Sequence, residues 1–124
     1  MTREEFQTYQ TLTEKFSEYC DDVFSYIKKN YISVLKFGRY STFSHANLED
    51  NNIELEYYDW GYDCYDYDII KIPVDDFFDN PYKWVDKWAK EIIDEKEYTK
   101  QRLNEIALQK ERDEYERLKK KFEK

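Results

Sequence analysis

The last third of the chain constrains the fold most, because it contains nothing that would interrupt a helix. Asn80-Pro81 is a typical helix start, with an asparagine cap followed by a proline at the first helical position. No glycine or proline occurs between Tyr82 and Lys124. One continuous helix over residues 81–124 would be roughly 66 Å long, which is more than a small domain needs. A kinked helix, or two helices folded back on each other, is therefore the alternative.

The apolar face of this predicted helix changes along its length. A wide apolar face near its start can cover a sheet; it comprises Trp84, Val85, Trp88, Ala89, Ile92 and Ile93. Farther on, Leu108, Tyr115 and Phe122 recur every seven residues with Leu118 between them, the spacing of a narrow coiled-coil seam. We predict a core over residues 1–97 and a charged helical extension over residues 98–124. Leu108, Tyr115, Leu118 and Phe122 could join copies of the chain into a homo-oligomer.

The N-terminal region predicts a second amphipathic helix, at about residues 3–29. Residues 2–5 match a capping box, in which the Thr2 and Glu5 side chains satisfy backbone N–H groups at the helix start. Apolar side chains then recur at steps of three and four, at Phe6, Tyr9, Leu12, Phe16, Tyr19, Cys20, Val23 and Ile27. Residues 31–38 are compatible with either a continued helix or a strand.

Three short segments between the helices have the patterns of β-strands. Residues 42–48 alternate loosely and are followed by a strong turn signal, residues 53–58 alternate strictly, and residues 65–72 end at Pro73. Residues 75–80 resemble a single helical turn. The short connections favour an antiparallel meander. We predict an α+β domain in which the first helix and residues 84–93 pack on one face of a three-stranded sheet.

The most acidic stretch coincides with the second and third predicted strands. Residues 49–79 contain eleven Asp or Glu and a single base, Lys71, so their net charge is −10 against −8 for the whole chain. A negative chain is poorly suited to bind nucleic acid or anionic membranes directly, and well suited to bind a basic protein. We predict a partner-binding surface of alternating acids and aromatics: Glu54, Glu56, Tyr58, Asp59, Trp60, Tyr62, Asp63, Tyr65, Asp66 and Asp68.

Two interpretations of this acidic stretch compete. It can be a solvated sheet face with no further role. Alternatively, carboxylates spaced about 6.6–7 Å apart on one strand face approximate successive phosphates of nucleic acid, while Tyr and Trp anchor the contact. The second interpretation predicts a non-catalytic inhibitor that blocks the basic groove of a nucleic-acid-processing protein.

Other chemistries are open to the same residues. Asp59, Asp63, Asp66 and Asp68 offer oxygen ligands for calcium, but their spacing matches no EF-hand loop. Cys64, His45 and a nearby aspartate could form a nucleophile set, but the surrounding acids would disfavour a thiolate. We therefore expect no catalytic residue, bound metal or cofactor. A structural adaptor that oligomerises through its C-terminal helix is the first alternative function, and a small carboxylate-based ligand-binding protein or enzyme is the second.

In style, the chain resembles the small bacteriophage proteins that inhibit host defences, such as anti-restriction and anti-CRISPR proteins. The resemblance rests on residues 54–68 and on the flanking Asp75, Asp76 and Asp79. It implies an acidic inhibitor acting in the host cytoplasm, and no family motif carries a residue role over to this chain. A cytoplasmic location also agrees with two distant cysteines, no long apolar run and an N-terminus without a secretory signal.

Overall fold

A computed structural model describes residues 1–61 and 66–122 and confirms the α+β class. The helices are α1 (Arg3–Asn30), α2 (Val74–Asp79) and α3 (Pro81–Phe122), and the strands are β1 (Ser41–Glu49), β2 (Asn52–Asp59) and β3 (Tyr67–Pro73). The strands form one antiparallel sheet in the order β1-β2-β3. The chain divides into two compact units, Met1–Ala89 and Lys90–Lys124.

The helix starts are where the capping residues predict them. The Thr2 hydroxyl oxygen accepts a hydrogen bond from the Glu5 N–H at 3.1 Å, and the hydroxyl donates to the Glu5 carboxylate at 3.2 Å. At α3, the Asn80 side-chain oxygen accepts from the Lys83 N–H at 3.2 Å. Helix α3 is continuous over 42 residues, so the alternative of two folded-back helices is wrong. No helix in the described part of the chain is apolar enough over a bilayer's width to span a membrane.

The segment between α1 and the sheet is neither of the two predicted alternatives. It forms two short 3-10 helices, Ile32–Val34 and Gly38–Tyr40, instead of extending α1 or adding a strand. Gly38 has a φ of +56°, a left-handed conformation that glycine adopts without a steric cost. These turns bring Lys36 and Tyr40 to one end of the sheet, where Lys36 meets Asp66 and Tyr40 meets Trp60.

The core lies between the sheet and the second half of α1. The inward face of β2 contributes three buried side chains, Ile53, Leu55 and Tyr57, as the strict alternation predicts. Opposite them α1 buries Cys20, Val23, Phe24 and Ile27, and further contributions come from Leu35, Ile70, Ile72, Phe77 and Val85. The first half of the predicted α1 stripe is not buried, since Phe6, Tyr9 and Leu12 are exposed. Burial raises the pKa of the Cys20 thiol to about 12, so this cysteine is a packing residue.

The hairpin between β1 and β2 is closed by two residues in left-handed conformation. Asp50 has a φ of 51° and Asn51 a φ of 62°, the geometry of a type I′ turn, which matches the twist of a two-residue hairpin. Asparagine and aspartate tolerate this region better than other non-glycine residues do. The turn signal in the sequence is therefore confirmed.

We predict that Asn51→Val lowers the free energy of unfolding by about 1–2 kcal/mol, because a β-branched residue fits the left-handed conformation poorly. Asn51→Gly is the matched control and should retain or raise the stability of the wild type. Urea denaturation followed by circular dichroism measures both variants. Equal stability of the valine and glycine variants would contradict the assigned turn.

A carboxylate joins three segments within the first unit. Oδ1 of Asp86 accepts hydrogen bonds from the Tyr26 and Tyr31 hydroxyls, each at 2.6 Å. These bonds hold the pKa of Asp86 below its usual range. The same hydrogen bond, together with burial, raises the pKa of Tyr26 to about 12. The contact fixes the start of α3 against the end of α1 and the turn after it.

The Asp86 contact should make stability depend on pH at the acid side. The pKa of Asp86 is lower in the folded protein than in the unfolded chain. Its contribution to the free energy of unfolding is therefore complete above the ordinary aspartate pKa, and it is lost as pH falls through the folded-state pKa. We predict that Asp86→Asn costs about 1 kcal/mol at neutral pH and flattens the acid limb of the stability curve. Urea titrations across the acid range measure this, with Asp94→Asn on the exposed part of α3 as the control. An unchanged acid limb in Asp86→Asn would contradict the assigned role.

Candidate protein-interaction surface

The outward face of β2 carries three of the predicted partner-binding residues, Glu54, Glu56 and Tyr58. Glu54 lies opposite Lys71 on β3, and the carboxylate is 3.7 Å from the lysine Nζ. Glu56 lies opposite His45 on β1, with 3.2 Å between the carboxylate and Nε2. The Glu54 side chain is only 12% exposed. The Lys71 ammonium thus offsets the charge of Glu54, while Glu56 lies beside an imidazole that would offset its charge only if protonated.

A β-bulge in β1 explains why His45 reaches this face. The register shifts between Phe43, which lies opposite Tyr57, and His45, which lies opposite Glu56. The extra residue, Ser44, breaks the alternation, so Phe43 packs against the core while His45 points outward. The same shift explains the loose alternation of this strand in the sequence. The Ser44 hydroxyl oxygen is 2.9 Å from Nδ1 of His45.

Exposed aromatic side chains gather where β2 ends and β3 begins. Tyr58 and Tyr67 lie directly opposite each other in the sheet, and they are 41% and 56% exposed. Trp60 is 61% exposed. We call Tyr58, Asp59, Trp60, Asp66 and Tyr67 the aromatic end of the sheet. Large aromatic side chains are enriched in protein interfaces relative to the rest of protein surfaces.

Trp60 is held by contacts from the turn before β1. Its ring packs edge-on against Tyr40, with 5.8 Å between the ring centroids, and the backbone N–H of Trp60 donates to the Tyr40 carbonyl at 3.2 Å. The Arg39 guanidinium lies 4.8 Å from the centre of the Tyr40 ring and donates to the Tyr40 hydroxyl at 2.6 Å. An exposed tryptophan is therefore positioned in advance, which reduces the entropy lost on binding.

Gly61 allows the backbone after Trp60 to pass close to the Tyr40 ring. A Cβ at Gly61 would lie 2.9 Å from Cδ1 of Tyr40, which is closer than real Cβ contacts. The Gly61 N–H also donates to the Asp59 carboxylate at 2.8 Å. Asp59 is thus engaged in shaping the turn that carries Trp60.

Asp68 and Asp66 belong to a different set of contacts. Asp68 lies opposite Tyr57 in the sheet and accepts a hydrogen bond from the Tyr57 hydroxyl at 3.2 Å. The Tyr57 hydroxyl oxygen in turn accepts from the backbone N–H of Lys36 at 3.1 Å. Burial raises the pKa of Tyr57 to about 12. The Lys36 ammonium lies 3.4 Å from Asp66. The two carboxylates therefore help attach the turn before β1 to the sheet.

Five further acids of the stretch, among the described residues, lie at the other end of the sheet. Glu49 and Asp50 close the β1–β2 hairpin, and Asp75, Asp76 and Asp79 lie on α2; all five are exposed. The length of β2 separates this group from the aromatic end by roughly 23 Å. The acidic stretch is therefore divided between two ends of the sheet, and the paired glutamates lie between them.

The other sequence-based hypotheses fall partly outside the described residues. Tyr62, Asp63, Cys64 and Tyr65 lie there, so neither the calcium ligand set nor the cysteine nucleophile set is placed by the structure. Within residues 1–61 and 66–122, no three His, Cys, Asp or Glu side chains are grouped to hold a metal ion. The sequence interpretation missed Lys36, Arg39, Tyr40 and Tyr67. The period-two pattern marks Tyr67 as outward, whereas Lys36 lies in the segment 31–38 whose structure stayed open, and Arg39 and Tyr40 follow it directly.

Comparison with known proteins adds no family to this description. Neither the family models nor the curated proteins and solved structures searched contain a match to this chain.

We predict that Gly61→Ala disturbs the aromatic end, because the new methyl group displaces the Tyr40 ring on which Trp60 packs. The expected loss of stability is about 1 kcal/mol, together with a change in near-UV circular dichroism. In a Tyr40→Ala background, Gly61→Ala should lower the stability little, since the ring that the methyl group would displace is absent. An equal cost in both backgrounds would show that the contact between residues 40 and 61 is not the cause.

Proposed function

We propose that this protein is a non-catalytic binding module whose aromatic end docks onto a basic protein surface. The observation that carries the proposal is the exposure of Tyr58, Trp60 and Tyr67 together at one end of the sheet. Tyrosine and tryptophan supply large contact areas at low rotamer cost, and they are enriched among the residues that dominate interface energetics.

The charge of the chain supports a basic partner. Its net charge is −8, so a positively charged surface would be attracted before contact is made. The basic surfaces expected to attract it are grooves that bind nucleic acid, which makes a nucleic-acid-processing protein the partner class. The resemblance to phage inhibitors of host defence points to the same class, with blockage of the groove as the effect.

The cross-strand neighbours of the glutamates modify the phosphate-mimic model. Lys71 offsets the charge of Glu54, and the His45 ring contacts the carboxylate of Glu56, so the two glutamates do not present a free row of carboxylates. We therefore assign the anchoring contact to the aromatics, and the attraction to the net charge of the chain. This division of roles predicts different effects for aromatic and charge substitutions.

The test uses the immobilised chain and a bacterial lysate, with mass spectrometry of the retained proteins. We expect a retained protein that duplex nucleic acid displaces and whose binding weakens as salt increases. Trp60→Ala or Tyr67→Ala should weaken its binding about 30-fold. Phe78→Ala, which removes another exposed aromatic, is the matched control.

Charge is tested separately with two single neutralisations. Asp66→Asn removes a negative charge at the aromatic end and keeps an oxygen that can accept from Lys36, and Glu18→Gln removes the same charge on an exposed position of α1. The first should slow association more than the second. A retained protein that binds Trp60→Ala and Tyr67→Ala as well as the wild type would refute the proposed surface.

A further inference from the structure

The C-terminal part of α3 exposes its apolar side chains as well as its polar ones. From Ile93 to Phe122 every described side chain is exposed, including Leu108, Tyr115 and Leu118. A helix that buries nothing is marginal in water, since most helical stability in proteins comes from packing of an apolar face. The apolar face of this segment therefore requires a partner.

The spacing of the apolar residues identifies the kind of partner. With Leu108, Tyr115 and Phe122 at position a of a heptad, Leu118 occupies position d. The helix surface has a shallow groove lined by Leu108, Glu111, Arg112, Tyr115, Glu116 and Lys119. In the heptad, Leu108 is at position a, Glu111 at d, Arg112 at e, and Tyr115 at a of the following heptad. Four residues at these positions form the hole that accepts a side chain from the facing helix of a coiled coil.

The charges beside the seam discriminate between two directions of pairing. In a parallel, in-register pair, Glu114 at position g faces Lys119 of the second copy at position e, which gives two attractive contacts per dimer. Glu111, at the other d position, faces Glu111 of the second copy, and Arg112 of each copy flanks this pair with a positive charge. In an antiparallel pair e faces e and g faces g, so the repulsion between Arg112 and Lys119 offsets the attraction between Glu114 and Lys121. The parallel pair retains its attractive contacts between Glu114 and Lys119 without that repulsion.

We propose that a second copy of this chain covers the seam in a parallel, in-register two-stranded coiled coil. The apolar contact is limited to four side chains per helix, so the dimer is weak and concentration-dependent. Parallel pairing links two aromatic ends in one assembly. Such a dimer would bind a target with two equivalent sites more tightly than either copy alone, through effective concentration.

The experiment measures the molar mass of the full chain by sedimentation equilibrium across micromolar to millimolar concentrations. We expect a monomer–dimer equilibrium, with helical circular dichroism rising as the dimer forms. Glu114→Lys and Lys119→Glu should each weaken association about tenfold by placing like charges opposite each other. Combining Glu114→Lys with Lys119→Glu should restore the wild-type association.

Asp113→Lys provides the control, because position f points away from the seam and the charge change equals that of Glu114→Lys. It should leave the association constant unchanged. A monomer at every concentration would overturn the proposal, as would a trimer or larger assembly. Failure of the double variant to restore association would overturn the parallel arrangement.

Discussion

The structure of the first unit depends on the burial of one face of the central strand, β2. Ile53, Leu55 and Tyr57 point into the core against α1, and the alternation of the strand then directs Glu54, Glu56 and Tyr58 outward. A shift of one residue would exchange the two faces, burying carboxylates and exposing the core. The same constraint that stabilises the unit therefore determines which side chains are presented to a partner.

Tyr57 connects this core to the aromatic end. Its ring is buried against Phe24 and Phe37, with 5.4 Å and 5.8 Å between ring centroids, and its hydroxyl contacts the Lys36 N–H and Asp68. These hydrogen bonds attach the turn before β1 to β3. That turn supplies Tyr40, against which Trp60 packs. The exposed aromatics are thus held by a chain of contacts that begins in the core.

Local signals in the sequence predicted most of the secondary structure. The caps at Thr2 and Asn80 mark real helix starts, and the strict alternation of residues 53–58 correctly identifies the buried face of β2. What depends on pairing between distant segments was not predictable. The register that places Lys71 opposite Glu54, and the bulge that turns His45 toward Glu56, depend on how strands meet rather than on any one strand. The acidic stretch therefore resembled a continuous charged surface in the sequence, whereas the structure divides it.

Hydrogen–deuterium exchange on the complex between the chain and the protein it retains from lysate tests the central claim most directly. The proposed surface predicts that binding slows amide exchange in the segments around Tyr58–Trp60 and Tyr67, because these residues become covered. It also predicts little change in the first half of α1. Protection confined to α1, or to the segment after Ile93, with unchanged exchange at the aromatic end would contradict the account.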